Sequence, residues 1–329
     1  MIRAYLFDGE KATPSPTDIH SLQNALTREN HLLWLDFEAS SPQIDEPLLR
    51  EVFGFHPLAI DDALHESHIP KIDDWEQYLY IVLHAIQFEV SGETKLETLE
   101  LDIFLGSNYM VTHHDRPIQA LNLVWEECQQ HDRHWKSGSD ALLYRLIDKV
   151  VTSYLPVLDQ IDQEIEQLEI SVFHQPQPEI VEKIFLLKRM MAQLRRVIAP
   201  QREVLNKLAR DDFAVIDRQA RVYFRDIYDH LVRLHDLSES IRDLIGGTLD
   251  IYLSVINNRM NDIMKTLTII TTLFMPISFI TGFFGMNFFA PVEGLLQTWT
   301  GLAFFVITLL ILTLTPLVMF WWVKRRGWV

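Results

Sequence analysis

Charge is absent from Thr266 to Val292 and again from Gly294 to Val323, two runs of 27 and 30 residues divided by Glu293 alone. A bilayer core takes about 20 apolar residues per helix, so each run is long enough to span. One such run suits the core helix of a soluble protein; two in succession do not. The tail "KRRGWV" follows the second run at once, and Arg259 and Lys265 precede the first. Basic residues stay on the cytoplasmic side. Both termini are therefore expected inside a cell (inner) membrane, with lipid around the two spans and a short loop at 287–300 outside.

Charge is distributed very unevenly along the rest. Residues 250–329 hold five basic residues against Asp250, Asp262 and Glu293, a balance of +2. The whole chain carries −16, so the first 249 residues carry −18. Such a surface repels nucleic acid and attracts cations, though solubility alone would also account for it. The single cysteine, Cys128, fits a reducing compartment. The opening "MIRAYLFDGE" is too polar and acidic for a secretory signal.

Residues 1–135 read as an α/β domain. Strand-like pieces "IRAYLFD", "HLLWLDFE", "YLYIVLHAIQFE" and "LELDIFLGSNYMVTHH" alternate with short helices "DEPLLREVFG" and "HPLAIDDALHE". Gly54 is placed to end the first of these helices, and "SGETK" at 91–95 reads as a hairpin turn. From 136 to 260 the pattern is helical. Residues 140–173 predict one long amphipathic helix with an acidic face, whose default reading is solvation. "HQPQP" at 174–178 breaks it, because a proline disfavours helix in the residue before it. A return helix follows, which Pro200 interrupts or kinks near its end.

Beyond it, Phe224, Ile227, Leu231, Leu234, Ser238, Ile241, Ile245, Thr248, Tyr252 and Val255 recur at spacings of three and four, a coiled-coil-like seam. With no proline between Asp217 and Pro276, seam and first span read as one helix of about 60 residues, roughly 90 Å long at 1.5 Å per residue. Gly246-Gly247 is the expected place for a bend. Symmetric assembly about a central axis is the expected way to bury the seam.

Carried into the membrane, this stripe presents Asn261, Met264, Leu267 or Thr268, Thr271, Met275, Ser278 and Gly282, with bulky apolar residues covering the other faces. Small and hydroxylated residues also serve ordinary helix packing. The whole stripe points to a pore or packed axis, with Met264 and Met275 as apolar constrictions that exclude ions by dewetting. In "TGFFGMNFFAP" the glycines end the helix and Asn287 offers an amide. A ring of amide oxygens accepts hydrogen bonds from the water around a cation without stripping it, which suits Mg2+. An inside-negative potential of 100 mV drives a divalent ion inward by about 4.6 kcal/mol.

Two C-terminal spans, "FFGMN" closing the first, a basic tail and a large acidic N-terminal part resemble the CorA family of divalent-cation channels over essentially the whole chain. "MKTLTIITTLFMPISFITGFFGMNF" and "HPLAIDDALHESHIPKI" support the likeness. The resemblance implies an α+β membrane protein: a cytoplasmic N-terminal α/β domain, a long helical stalk or funnel, and two C-terminal transmembrane helices at 261–286 and 301–323, with a basic tail at 324–329. It implies a homopentamer whose first span lines the pore. Gly285, Met286 and Asn287 would form the selectivity motif. Asn261, Met264, Leu267, Thr271, Met275 and Ser278 would line the pore, with Asp250 near its inner mouth. Mg2+ would be both cargo and regulatory ligand, bound between subunits by Asp226 and Glu89, with no organic cofactor. Co2+ and Ni2+ are further cargo. A zinc-transporting, proton-coupled branch of the superfamily is the alternative; isoleucine is usual there in the middle of the motif, whereas Met286 points to the magnesium and cobalt side.

An enzyme is the more distant reading. No Walker loop or paired catalytic arrangement is present. The histidine pairs in "HESH" at 65–68 and "HDRH" at 131–134 each lack a third metal ligand. The adjacent His113 and His114 would face opposite ways on a strand. A membrane-tethered sensor or scaffold would need the anchor but not the polar stripe.

Overall fold

A computed structural model describes residues 1–28, 30–65, 68–89, 95–286 and 302–326. It divides into two compact units, Met1–Leu249 and Asp250–Val329.

The first unit is built on one mixed sheet. Its strands are β1 (Ile2–Phe7), β2 (Ala12–Pro14), β3 (Leu32–Glu38), β4 (Lys71–Asp74), β5 (Leu79–Glu89), β6 (Lys95–Leu105) and β7 (Tyr109–His114), in the order β2-β1-β3-β7-β6-β5-β4. Among the described residues only β3 and β7 pair in parallel. Central strand β3, "LLWLDFE", is buried over six of its seven residues. That is the near-continuous apolar run expected of a strand covered on both faces.

One face packs Leu35, Phe37, Tyr80, Val82, Phe104 and Val111 against three helices. These are α1 (Ile19–Leu26), α2 (Pro42–Glu51) and α3 (Pro57–His65). On the other face Trp34 meets Trp125 with ring centroids 4.6 Å apart. Trp125 belongs to α4 (Gln119–Gln130).

The first unit departs from the sequence reading in several particulars. The stretch at 99–114 is two strands, because Gly106 opens a tight turn into Tyr109. A Cβ at residue 106 would lie 2.3 Å from the Tyr109 ring, and its amide donates to the Tyr109 carbonyl at 3.0 Å. Gly54 does adopt the left-handed backbone expected after α2, at φ +68°. Strands β2 and β4 and helices α1 and α4 were not read; β2 and β4 are too short to show a period. Residues 90–94, most of the proposed hairpin turn, lie outside the described residues, although β5 and β6 pair antiparallel as far as Glu89 and Lys95.

The long helix expected at 140–173 is two, α5 (Ser139–Thr152) and α6 (Tyr154–His174), parted at Ser153. Pro156 is the physical reason. It has no N–H to offer the Thr152 carbonyl, and its ring crowds that group. Ser153 closes α5 instead, its hydroxyl donating to the Val150 carbonyl at 2.6 Å. The next helix, α7, begins at Pro178, as the "HQPQP" break requires, but runs on through Pro200 to Arg210. The apolar period continues past the proline, with Val197, Ile198, Gln201, Val204, Leu205 and Leu208 all buried. That packing outweighs the one lost backbone bond. Buried Gln201 accepts a hydrogen bond from the His84 amide at 3.0 Å, and the Tyr154 hydroxyl donates to the His84 carbonyl at 2.6 Å. Helices α6 and α7 are thereby tied to β5.

Helix α8 runs without interruption from Arg221 to Gly285, 65 residues, through both Gly246-Gly247 and Pro276. The second unit contains its C-terminal part and α9 (Leu302–Arg325). The fold class read from sequence is the one observed: an α/β domain, a long helix and two candidate C-terminal membrane helices.

Candidate functional site

The seam on α8 is buried, but not as the sequence reading expected. Phe224, Ile227, Leu231, Ser238, Ile241, Ile245 and Thr248 are all enclosed within the single chain. Phe224 meets Tyr144 of α5 with ring centroids 6.3 Å apart. Thr248 donates to Glu169 of α6 at 3.0 Å. Arg195 of α7 reaches Glu239 at 3.3 Å. The stripe packs onto its own helical layer and needs no symmetry axis to cover it.

That correction changes which residues share a face. At about 100° per residue, the nine steps from Tyr252 to Asn261 turn an α-helix about 180° beyond two full turns. Asn261 therefore lies opposite Tyr252, and the seam does not continue into the span. Asp250, Asn261, Met264, Leu267, Thr271, Met275 and Ser278 fall within an arc of about 120°. All seven are exposed in the single chain. These residues share one arc of the helix by rotation alone.

The most apolar stretches of α8 and α9 have mean hydropathies of 1.7 and 2.2, and the protein covers 0% and 6% of them. A soluble core helix with that composition would be covered. Several of their hydroxyls are bonded back within the helix, as suits a bilayer. Thr268 donates to the Met264 carbonyl at 2.7 Å, and Thr271 to the Leu267 carbonyl at 2.9 Å. Thr313 and Thr315 do the same on α9. A threonine bonded back in this way keeps its oxygen lone pairs turned outward, available to water. At the end of α9, Arg325 lies 5.3 Å from the Trp321 ring and Arg326 5.2 Å from Trp322.

Of the motif residues, Gly285 ends α8. The Met286 amide donates to the Phe283 carbonyl at 3.3 Å, and its side chain is exposed. Asn287 and the loop beyond it lie outside the described residues, as does the side chain of Glu89. Asp226 is described and exposed. Sequence reasoning missed its neighbour Asp148 on α5. Burial pushes the Asp148 carboxyl up from its usual value; His230 lowers it, and repulsion from Asp226 raises it further. Two carboxylates from separate helices therefore share one patch, which a linear reading of the chain does not reveal.

Neither "HESH" nor "HDRH" contributes to a three-ligand cluster among the described residues. His65 pairs with Asp61 at 3.0 Å on an exposed helix face, and the His131 and His134 rings meet edge to face. His113 and His114 do face opposite sides of β7. His113 lies 3.9 Å from Asp45 and 3.8 Å from Asp102, while His114 faces Asp36 at 3.3 Å.

Fold and site together define a membrane protein with a large acidic α/β head, a continuous stalk-to-span helix and a polar face on its first span. The family model described as CorA-like Mg2+ transporter protein matches residues 29–325. The cobalt/magnesium transport protein CorA of Thermotoga maritima is 36% identical over 280 residues, covering 85% of this chain and 78% of that protein. The CorA of Methanocaldococcus jannaschii, also a cobalt/magnesium transport protein by name, is 28% identical over 91% of this chain and 92% of that one. Its complete structure superposes with a TM-score of 0.83, covering 100% of this chain and 99% of that chain at 24% identity. The chain belongs to the CorA family of metal-ion transporters.

Proposed function

We propose that the chain is one subunit of a homo-oligomeric channel, a pentamer by family resemblance, that admits hydrated Mg2+, and also Co2+ and Ni2+, through the inner membrane toward the cytoplasm, where both termini lie. The observation that carries this reading is the division of labour on α8. Its seam is used up within the chain, while further along the helix Asp250, Asn261, Met264, Leu267, Thr271, Met275 and Ser278 share one arc and are exposed on a span otherwise fit for lipid. Copies arranged about an axis would turn that face inward. Asp250 concentrates cations at the inner mouth, and Asn261, Thr271 and Ser278 offer oxygens to the ion's water shell. Met264 and Met275 narrow the path with apolar surface. Gly285, Met286 and Asn287 form the outer selectivity ring. Membrane potential supplies the driving force, about 2.3 kcal/mol per charge per 100 mV. The decisive experiment is Mg2+ uptake into liposomes bearing purified protein, with competing ions and with and without a pH gradient. Uptake that requires a proton gradient and prefers Zn2+ would select the zinc-transporting alternative.

Gating follows from the same charges. Asp226 with Asp148, and Glu89 from a neighbouring subunit, would bind intracellular Mg2+ and stabilise a closed arrangement by mass action. Asp226→Lys is expected to raise the Mg2+ concentration for half-closure by about tenfold, the equivalent of about 1.4 kcal/mol of lost binding. An inhibition curve superimposable on that of the unmodified protein would take Asp226 out of the sensor.

Met275 provides a sharper test of the constriction. Met275→Asp places a ring of carboxylates where dewetting holds ions back. The expected result is leak current that persists at saturating internal Mg2+. A channel that still closes tightly would mean residue 275 faces lipid or a neighbouring helix.

A further inference from the structure

The most informative unassigned cluster lies far from the spans, where β3 and β7 run in parallel. The register sets Asp36 opposite Thr112 and Glu38 opposite His114. With a side-chain period of two, Asp36 and Glu38 share one sheet face with Thr112 and His114. One ligand atom each from Asp36, Glu38 and His114 lies within 4.8 Å of the others. Asp36 is 0% exposed and His114 1%.

His114 carries the argument. Its Nδ1 lies 2.6 Å from the Arg116 carbonyl. A carbonyl only accepts, so Nδ1 holds a proton and donates it. In the neutral ring Nε2 then carries a lone pair, and it lies 3.3 Å from Asp36 Oδ1. Nε2 is enclosed and has no hydrogen-bond partner. Two lone pairs facing each other in a buried site call for a positive charge between them, a proton on Nε2 or a metal ion. An imidazole that donates its other N–H to a backbone carbonyl is also the usual posture of a metal-binding histidine.

The neighbours suit that role. Trp34 Nε1 donates to Thr112 Oγ1 at 3.1 Å, which obliges the Thr112 hydroxyl to donate onward to Asp36 Oδ1. Arg3 holds Asp36 Oδ2 at 2.8 Å. These contacts fix the carboxylate's orientation as an outer shell does around a metal. Tetrahedral ligands at about 2.0–2.1 Å from a Zn2+ ion stand roughly 3.4 Å apart, the spacing already present between His114 and Asp36. Glu38 is half-buried, and its ligand atom lies within 4.8 Å of those of Asp36 and His114.

We propose that Asp36, Glu38 and His114 bind a borderline divalent transition metal, Zn2+ or Co2+, in the α/β domain, separately from the transport pathway. One nitrogen and two carboxylate donors favour these ions over Mg2+, which prefers an all-oxygen shell and keeps its water. The site would link β3 to β7, a parallel pair, and make the domain responsive to metals other than the bulk cargo.

The test uses the full-length protein in detergent, stripped with chelator and dialysed against Zn2+ in the presence of excess Mg2+ to occupy oxygen-only sites. The expected result is one Zn2+ retained per chain, with Co2+ substitution giving visible ligand-field bands characteristic of nitrogen and oxygen donors. Glu38→Gln, at a half-exposed position that tolerates an amide, is expected to weaken retention at least about tenfold while leaving the melting curve of the metal-free protein unchanged. His114→Gln is expected to do the same, and Asn287→Ala, in the proposed selectivity ring, is expected to retain the ion. No Zn2+ held against Mg2+, equal retention by Glu38→Gln, or loss in Asn287→Ala alone would overturn the site. The first of these outcomes would leave His114 as an imidazolium paired with Asp36.

Discussion

Replacing Asn287 with alanine is expected to reduce Mg2+ uptake into proteoliposomes to the level of protein-free vesicles, while the detergent-solubilised oligomer elutes unchanged. The expectation rests on the ion's chemistry. Mg2+ is small, binds water in near-octahedral geometry and dehydrates reluctantly. A pore that admits it without stripping its shell must replace bulk water's hydrogen bonds with acceptors placed outside that shell. Carboxamide oxygens do so without the strong attraction that would trap a divalent ion. Alanine removes the acceptor and leaves an apolar rim, so the hydrated ion loses its first foothold. The Gly285 and Met286 that precede it need not change for flux to disappear. Uptake within twofold of the unmodified protein would dismiss Asn287 as a selectivity element. Loss of the oligomer along with flux would show that it packs subunits instead.

Much of this architecture is legible in the sequence, because the dominant signals are long. Two uncharged runs of 27 and 30 residues admit few other fates, and the unbroken period from Phe224 onward foretells α8. Hairpin strands β5 and β6, with Tyr80, Val82 and Phe104 in the core, show themselves through β-branched and aromatic density. What escapes the sequence depends on contacts between distant segments. The break at Ser153 follows from Pro156, whose effect is hard to distinguish beforehand from a proline tolerated in a first turn. The continuation past Pro200 depends on packing of Gln201 and Leu205 that only the folded layer supplies. The proximity of Asp148 on α5 to Asp226 on α8 is set by tertiary packing, and the meeting of Asp36 with His114 requires a parallel register that no local pattern encodes. The sequence also shows that α8 has an apolar seam without saying what covers it. Symmetry was one answer; the chain's own helices are the observed one.

That difference leads to the second large effect. Leu231 is fully enclosed on the seam, and Leu231→Ala is expected to destabilise the protein by about 2–5 kcal/mol, the range for emptying a packed leucine site. Because the covering helices belong to the same chain, the loss should appear in each subunit by itself. Denaturant midpoints should fall independently of protein concentration, and the oligomer should survive in mild conditions. Met264→Ala makes the contrasting change. Its side chain is 55% exposed, so the folded subunit loses almost nothing, while a constriction about the axis widens and conduction alters. If the seam instead joined subunits, Leu231→Ala would dissociate them and the midpoint would shift with concentration. If the polar face met lipid, Met264→Ala would leave both stability and flux where they were. The two substitutions therefore separate the faces by different observables: one changes the equilibrium of a single chain, and the other changes the passage of an ion between several.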